Sequence, residues 1–466
     1  MKSQGSPAPD RRLLGTWDGV SIVIGIVVGV SLYKAPALVF GSVGGPGTGM
    51  AVWVLGGALA LVGALCYAEL GSTYPRSGGD YAYLTLAYAP WLGFLFAWAQ
   101  LVAILTGSIG ALAYVFADYA VALGAGSPPA LYASVSVAAL TVLNLFGVGL
   151  GRSVQNTLTL AKVAGLAAIL GAGLIASGAP VDGPPAVGIG GGGLGFALIL
   201  VLYAHGGWND AAFIAADVRE PQRNVPRILL LGTGSIAVLY LLVNAAYLAG
   251  LGFDGLRASA APAADVLVAA LGPWGGRAMS ALVMISALGA INGLIFTGSR
   301  IYASAGADHW VFAALGRWNP RSGVPVRALL AQCGVAVALI LGVGTARGRA
   351  LLDAGIGVLG TGALPWDRFG GGFDTLVAGT APVFWLFFLA TGIAVFVLRW
   401  RDPDTPRPFR VPLYPWTPLI FCASSVYMLQ ASVVYAREIA LLGVLPLCVG
   451  VPVYLWSRRG QVQTNA

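Results

Sequence analysis

The chain has 466 residues, of which 58% are hydrophobic and only 9% are charged. Soluble globular proteins carry about 25% charged residues, so this composition excludes that class and indicates a polytopic membrane protein. The net charge of +8 does not indicate a nucleic-acid partner, because most arginines lie in short loops between apolar runs.

Apolar runs of the length that crosses a hydrocarbon core, about 20 residues, recur along the whole chain. We count twelve, which predicts an all-α membrane protein with twelve transmembrane helices. The third run is overlong, and we expect it to begin as a helix on the membrane surface. The runs cover residues 17–41, 47–73, 82–121, 129–148, 155–178, 194–216, 228–251, 277–304, 325–343, 374–399, 413–435 and 438–457.

Two of these runs are interrupted in the middle. Run one is broken around Gly25, Gly29 and Ser31, and run six is broken at residues 203–207. A membrane helix tolerates such a break where the freed backbone lines a protected cavity, and a matched pair indicates a transporter substrate site.

The spacing of the breaks predicts two five-helix repeats. Five is odd, so the second repeat enters the membrane from the opposite side and the repeats are inverted. The predicted organisation is a tail at 1–16, a first repeat at 17–178, a second repeat at 194–400 with an extracytoplasmic insertion at about 344–373, terminal helices at 413–457 and a tail at 458–466.

The placement of basic residues predicts the orientation. With a cytoplasmic N-terminus, seventeen of the 26 Lys and Arg residues fall on the cytoplasmic face, which fits the positive-inside rule. We therefore expect a multi-pass protein of the cell inner (plasma) membrane with both termini in the cytoplasm and no signal peptide. The opposite face receives Arg257, Arg277, Arg347, Arg349, Arg368 and Arg437.

A broken helix offers free N–H groups at one half and free C=O groups at the other. The N–H end suits a carboxylate and the carbonyl end suits an amine, so two broken helices can bind a zwitterion. The alternative is that the glycines only permit close helix packing. The substrate-binding candidates are Gly29, Val30, Ser31, Tyr203, Ala204, His205, Gly206 and Asn209.

Lys162 lies deep in the apolar fifth run. An ionisable residue at that depth costs at least ~2.5 kcal/mol and indicates a functional site. Its ammonium could replace a coupled sodium ion or carry a coupled proton, or it could snorkel to an interface. Two further candidates are Lys34, which shares a helix face with Ser31, and Asn292, a polar residue in run eight.

Enzyme chemistry is not expected. The two histidines are far apart in sequence, and no HExxH or GxSxG motif is present. We expect no catalytic residue, metal or cofactor. A substrate-binding membrane sensor with the same fold is an alternative to a transporter.

Three stretches carry a resemblance to a known family: residues 63–83 (GALCYAELGSTYPRSGGDYAY), 203–228 (YAHGGWNDAAFIAADVREPQRNVPRI) and 291–310 (INGLIFTGSRIYASAGADHW). The chain resembles transporters of the amino acid–polyamine–organocation superfamily, most closely the L-type amino acid transporter branch. The resemblance implies a LeuT-like fold and a role for the unwound parts of spans one and six in binding an amino acid. It also implies a gate at Tyr203 and a lysine, Lys162, in place of a sodium ion.

We therefore expect a secondary transporter that moves an amino acid or related amine by alternating access. The position of Lys162 predicts that transport is independent of sodium, and it is then either proton-coupled or an exchange. The family's usual Gly-Ser-Gly in span one reads Gly29-Val30-Ser31 here, which leaves open a non-amino-acid amine or an organic anion. Animal members pair with a glycoprotein through a cysteine in the loop after span three. The loop at 119–131 has no cysteine, so we expect no disulfide-linked subunit.

Overall fold

A computed structural model describes residues 13–175, 193–357, 363–369 and 371–464. These residues form an all-helical bundle whose only β-type contact is an isolated bridge between Leu14 and Val218. Residues 1–12, 176–192, 358–362, 370 and 465–466, which include parts of the predicted tails and of the insertion, lie outside the described residues. The all-α prediction is confirmed.

The first half of the bundle contains the first broken span and an interrupted third span. The third run begins as a separate short helix, Asp80–Ala87, and its place on the membrane surface stays a prediction. A π-helical turn follows at Gln100–Ile104. The elements are α1 (Thr16–Val27), α2 (Val30–Gly41), α3 (Pro46–Thr73), α4 (Asp80–Ala87), α5 (Pro90–Ala99), α6 (Leu105–Ala122), α7 (Pro129–Leu145) and α8 (Val148–Ile175).

The second half begins with the other broken span, in which a 3₁₀ helix (Trp208–Asp217) follows α9. It also contains a short helix, α11, that the hydrophobic runs did not predict. The elements are α9 (Gly193–Ala204), α10 (Pro221–Ala258), α11 (Pro262–Leu271), α12 (Trp274–Asp308), α13 (Val326–Gly344), α14 (Ala346–Gly357), α15 (Gly372–Arg401), α16 (Trp416–Ala436) and α17 (Leu441–Thr464).

The two broken spans cross each other antiparallel. The half before the first break, α1, packs on the 3₁₀ helix that follows the second break, and α2 packs on α9. The axes of α1 and α2 differ by 52°. This arrangement brings the two breaks to the same depth in the bundle.

Eight of the described helices are long and apolar enough to cross a membrane, or nine if α1 and α2 count as one span. Helix α7 has only 17 residues, the second broken span has no long helix, and α16 and α17 follow one another closely. The count of twelve therefore stays a prediction.

Close approach of helices at the first break depends on a missing side chain. A Cβ atom on Gly25 would lie 1.9 Å from Nε2 of Gln155 and 2.7 Å from Oγ1 of Thr159, both on α8. The absent side chain lets α1 approach α8 closely, which brings the end of α1 within reach of Lys162.

Candidate functional site

The first break consists of Val28 and Gly29, with Gly29 fully extended before α2. Of the residues around which the sequence predicted this break, Gly29 lies in it, Gly25 lies in α1 and Ser31 lies in α2. The N–H groups of Val30 and Ser31 occupy the first positions of α2 and have no acceptor within that helix. The start of α2 is therefore suited to an anionic group.

The second break follows Ala204. The N–H of Gly206 donates to the carbonyl of Tyr203 at 3.0 Å, which tightens the end of α9. Gly207 has φ +103°, a left-handed conformation that glycine adopts without steric cost. The chain turns at this glycine and continues as the 3₁₀ helix.

One hydroxyl group joins the two breaks. Tyr240 Oη on α10 lies 3.0 Å from the carbonyl oxygen of Val27 and 3.1 Å from that of Ala204. The tyrosine is fully buried, and the single proton of its hydroxyl is shared between these two carbonyl oxygens. The side chain of Tyr240 therefore holds the end of α1 against the end of α9.

Lys162 on α8 is completely buried and its ammonium reaches the first break. Its Nζ donates to the carbonyl oxygen of Gly25 at 2.5 Å and to that of Val28 at 2.9 Å. Ser286 on α12 donates to the same Val28 carbonyl at 3.2 Å. The ammonium thus occupies the carbonyl cage at the end of α1, where its charge is stabilised by backbone dipoles.

A cavity of about 170 Å³ lies between the two breaks. Both broken spans contribute to its wall, together with the π-helical turn, α6, α12 and α15. The wall is mainly apolar, with a few polar groups, which is typical of a small-molecule site.

Six of the eight substrate-binding candidates lie on the wall of this cavity. Among them Tyr203 keeps 38% of its surface exposed. The six residues are Gly29, Val30, Ser31, Tyr203, Ala204 and Gly206.

The other two candidates, His205 and Asn209, are buried away from the cavity wall. The ring of His205 is fixed by a 2.8 Å hydrogen bond between Nδ1 and the carbonyl of Val201, and it packs against Trp53 and Tyr240. Its position one residue past the end of α9 turns it toward α3 and α10.

The two further candidates also lie outside the cavity. Lys34 is exposed on α2. Asn292 is buried in α12, where it accepts from Asn144 at 2.8 Å and donates to Gln155 Oε1 at 2.9 Å. This network connects α12 to α7 and α8.

Several wall residues were not predicted from the sequence. Gln100 comes from the π-helical turn, Asp210 from the 3₁₀ helix, and Thr380, Phe384 and Trp385 from α15. The polar residues at 100 and 210 interrupt apolar runs, and that signal could have identified them. The residues of α15 carry no local signal, because their role depends on which helices become neighbours.

The segment before α1 is bonded to the end of the 3₁₀ helix, which is also paired with α12. Leu14 forms backbone hydrogen bonds with Asp217 and Arg219, at 3.1 Å and 2.9 Å. Arg300, with only 1% of its surface exposed, pairs with Asp217 at 3.0 Å.

An apolar helical bundle with two antiparallel broken helices around a small central cavity defines a membrane transporter rather than an enzyme. The chain belongs to the amino acid permease family, whose model matches residues 14–451. The resemblance to the amino acid–polyamine–organocation superfamily and its LeuT-like fold is thereby confirmed, as is the prediction of a transporter.

Curated relatives match nearly the whole chain. The chain is 28% identical to the b(0,+)-type amino acid transporter 1 of Mus musculus, over 91% of this chain and 83% of the relative. It is 27% identical to the large neutral amino acids transporter small subunit 2 of Homo sapiens, over 97% and 81%. It is also 27% identical to the Asc-type amino acid transporter 1 of Mus musculus, over 95% and 81%.

Proposed function

We propose that this protein is a secondary transporter that moves an amino acid or a related amine across the membrane by alternating access. The observation that carries the proposal is the central cavity, whose wall includes backbone from both broken helices. The names of the relatives, all amino acid transporters, support the substrate class.

The substrate's charged ends match the two breaks. The carboxylate binds the N–H groups of Val30 and Ser31 at the start of α2. The amine binds carbonyl groups at the ends of α1 and α9, beside Ala204 and Gly206. The side chains of Val30 and Ser31 narrow this backbone site relative to the glycine-rich pattern of the family, so the substrate approaches α2 from the side of Gly29.

Transport is independent of sodium. The basis is the position of Lys162, whose ammonium already occupies the carbonyls of Gly25 and Val28. A metal cation in that cage would have to displace a buried, hydrogen-bonded charge. The driving force is then either a proton gradient or exchange of one substrate for another.

Tyr203 is the gate on the accessible side. Its ring lines the cavity and is the exposed aromatic of the second break. Movement of this ring toward α6 and α15 would cover a bound substrate, while the Leu14 and Arg300 contacts keep the other side closed.

The topology that goes with this mechanism is a pair of inverted repeats, residues 17–178 and 194–400, in the plasma membrane with both termini cytoplasmic. The antiparallel crossing of the broken spans supports the inversion, and the distribution of arginines supports the orientation.

One relative is named a small subunit, but we propose that this chain works without a disulfide-linked glycoprotein, because the loop at 119–131 has no cysteine.

The test is uptake of radiolabelled amino acids by proteoliposomes that contain the purified full chain. Liposomes preloaded with unlabelled amino acids measure exchange, and empty liposomes with an inward proton gradient measure proton coupling. We expect saturable uptake that persists when sodium is replaced by choline. Absence of uptake in both formats, with the protein folded and some of the same compounds bound, would support the sensor alternative instead.

A further inference from the structure

Two buried polar side chains line the cavity, Asp210 near the start of the 3₁₀ helix and Gln100 on the π-helical turn. Asp210 has 7% of its surface exposed and Gln100 has 4%, and both line the cavity. Oδ1 of Asp210 accepts a hydrogen bond from its neighbour Asn209 at 3.2 Å. Oε1 of Gln100 and Oδ1 of Asn209 are buried without a hydrogen-bond partner.

A second carboxylate lies behind this pair. Oδ1 of Asp80 accepts from Tyr67 at 2.5 Å and from Thr391 at 2.6 Å, whereas its Oδ2 has no partner. The ring of Tyr67 packs against Trp208 at the start of the 3₁₀ helix, which places Asp80 near this segment. In the described part of the chain, neither carboxylate forms an ion pair with a Lys, Arg or His side chain.

An uncompensated carboxylate at this depth is costly, so the arrangement calls for a positive partner. A proton on Asp210 would still leave Oε1 of Gln100, an unpaired acceptor on a cavity-lining residue, without a donor. An ammonium carries three N–H donors and a guanidinium carries five. A cationic nitrogen group can therefore donate to both side chains, whereas a proton on Asp210 cannot.

We propose that Asp210 and Gln100 form a subsite that binds the cationic side-chain end of a basic amino acid. This inference rests on the proposed function and specifies its substrate class.

The geometry of the wall suits such a substrate. Asp210 is three residues past Gly207, which is about 6 Å along a 3₁₀ helix. The extended stem of a lysine has a similar length, so its α-groups reach the breaks while its ammonium reaches Asp210. Ile104 and Leu105 line the same cavity and provide apolar surface for the stem.

The test measures binding of L-lysine and L-norleucine, which share a four-carbon stem and differ in the terminal ammonium, to the purified full chain by calorimetry. We expect wild type to bind lysine about tenfold or more tightly than norleucine, as a buried charge-assisted pair provides. Asp210→Asn should remove most of that preference while leaving norleucine affinity within about twofold. Gln100→Met should reduce it by a smaller factor. Asp254→Asn, at an exposed carboxylate, is the matched control.

Three results would overturn the inference. If wild type binds norleucine as tightly as lysine, the subsite for a basic side chain is excluded. The proposed amino acid transport would not be affected by that result. Norleucine affinity that rises at low pH, with that dependence lost in Asp210→Asn, would identify a proton site instead. Absence of binding and uptake for all amino acids would remove the proposed function as well. Should Asp210→Asn fail to fold, the wild-type preference and the Gln100→Met variant decide.

Discussion

The ammonium of Lys162 lies 2.5 Å from the carbonyl oxygen of Gly25, so a side chain from α8 holds the backbone at the end of α1. The contact depends on Gly25 having no side chain, because a Cβ there would collide with Gln155 on α8. A buried charge and a broken helix therefore stabilise each other. Each would be unfavourable in a membrane without the other.

The first prediction concerns Lys162→Ala. The change leaves the Gly25 carbonyl without its donor, at a cost of about 1–3 kcal/mol, which is offset in part because a buried charge is no longer desolvated. We expect the variant to fold, with a lower melting temperature, and to lose transport. Proteoliposome uptake and a thermal melt measure the two effects.

Arg257→Ala removes an exposed cation and is the control for that experiment. We expect it to keep wild-type uptake. Undiminished uptake by Lys162→Ala, or strictly sodium-dependent uptake by the wild-type protein, would contradict the role proposed for the lysine.

The second prediction concerns the gate. Tyr203→Ala removes the ring from the cavity wall, so we expect slower exchange with binding retained. Tyr203→Phe keeps the ring and should exchange at close to the wild-type rate. Exchange kinetics in preloaded liposomes, together with calorimetric binding, separate the two steps. An unchanged exchange rate in the alanine variant would exclude a gating role.

The sequence predicts those parts of the site that are caused by residues adjacent in the chain. Three features are visible in the sequence because each contradicts a continuous apolar helix. They are the break near Gly29, the break near Gly206 and the deep lysine at 162. His205 was predicted at the cavity because it lies within the second break. Its ring points elsewhere because the carbonyl of Val201, four residues earlier, fixes its direction.

The parts of the site that the sequence did not predict come from helix neighbours. Phe384 and Trp385 reach the cavity because α15 packs on α6, a contact between segments far apart in the chain. Gln100 faces the cavity within a π-helical turn, which changes the phase of the side chains relative to a regular α-helix. Hydrophobic periodicity does not report either effect.

The third prediction concerns Tyr240. Tyr240→Phe removes the hydroxyl whose one proton is shared between the carbonyls of Val27 and Ala204. We expect a loss of about 1–3 kcal/mol in the free energy of unfolding. A thermal melt in detergent checks this against Tyr435→Phe, an exposed tyrosine on α16. Equal melting temperatures for the two variants would show that the bridge does not hold the breaks together.

The fourth prediction concerns the end of the cavity that we propose to be closed. Asp217→Asn weakens the ion pair with the buried Arg300, and removing one partner of a buried pair typically costs about 3–5 kcal/mol. We expect this end to open more often, so that backbone amides around Leu14 and in the 3₁₀ helix exchange hydrogen faster. Hydrogen–deuterium exchange with mass spectrometry measures it, with Asp254→Asn as control. Unaltered exchange at both segments would mean that the ion pair does not close the cavity.

The last prediction uses a glycine that faces Lys162. A Cβ on Gly289 of α12 would lie 2.9 Å from Cε of the lysine, closer than side-chain contacts allow. Gly289→Ala therefore displaces the lysine stem and weakens its bonds to Gly25 and Val28, and we expect reduced uptake without removal of the charge. Gly171→Ala is the matched control, since nothing lies within 4 Å of the added atom and alanine favours a helix by about 1 kcal/mol. Equal uptake by the two variants would show that uptake does not depend on the position of the ammonium. An effect of Lys162→Ala would then come from loss of its charge.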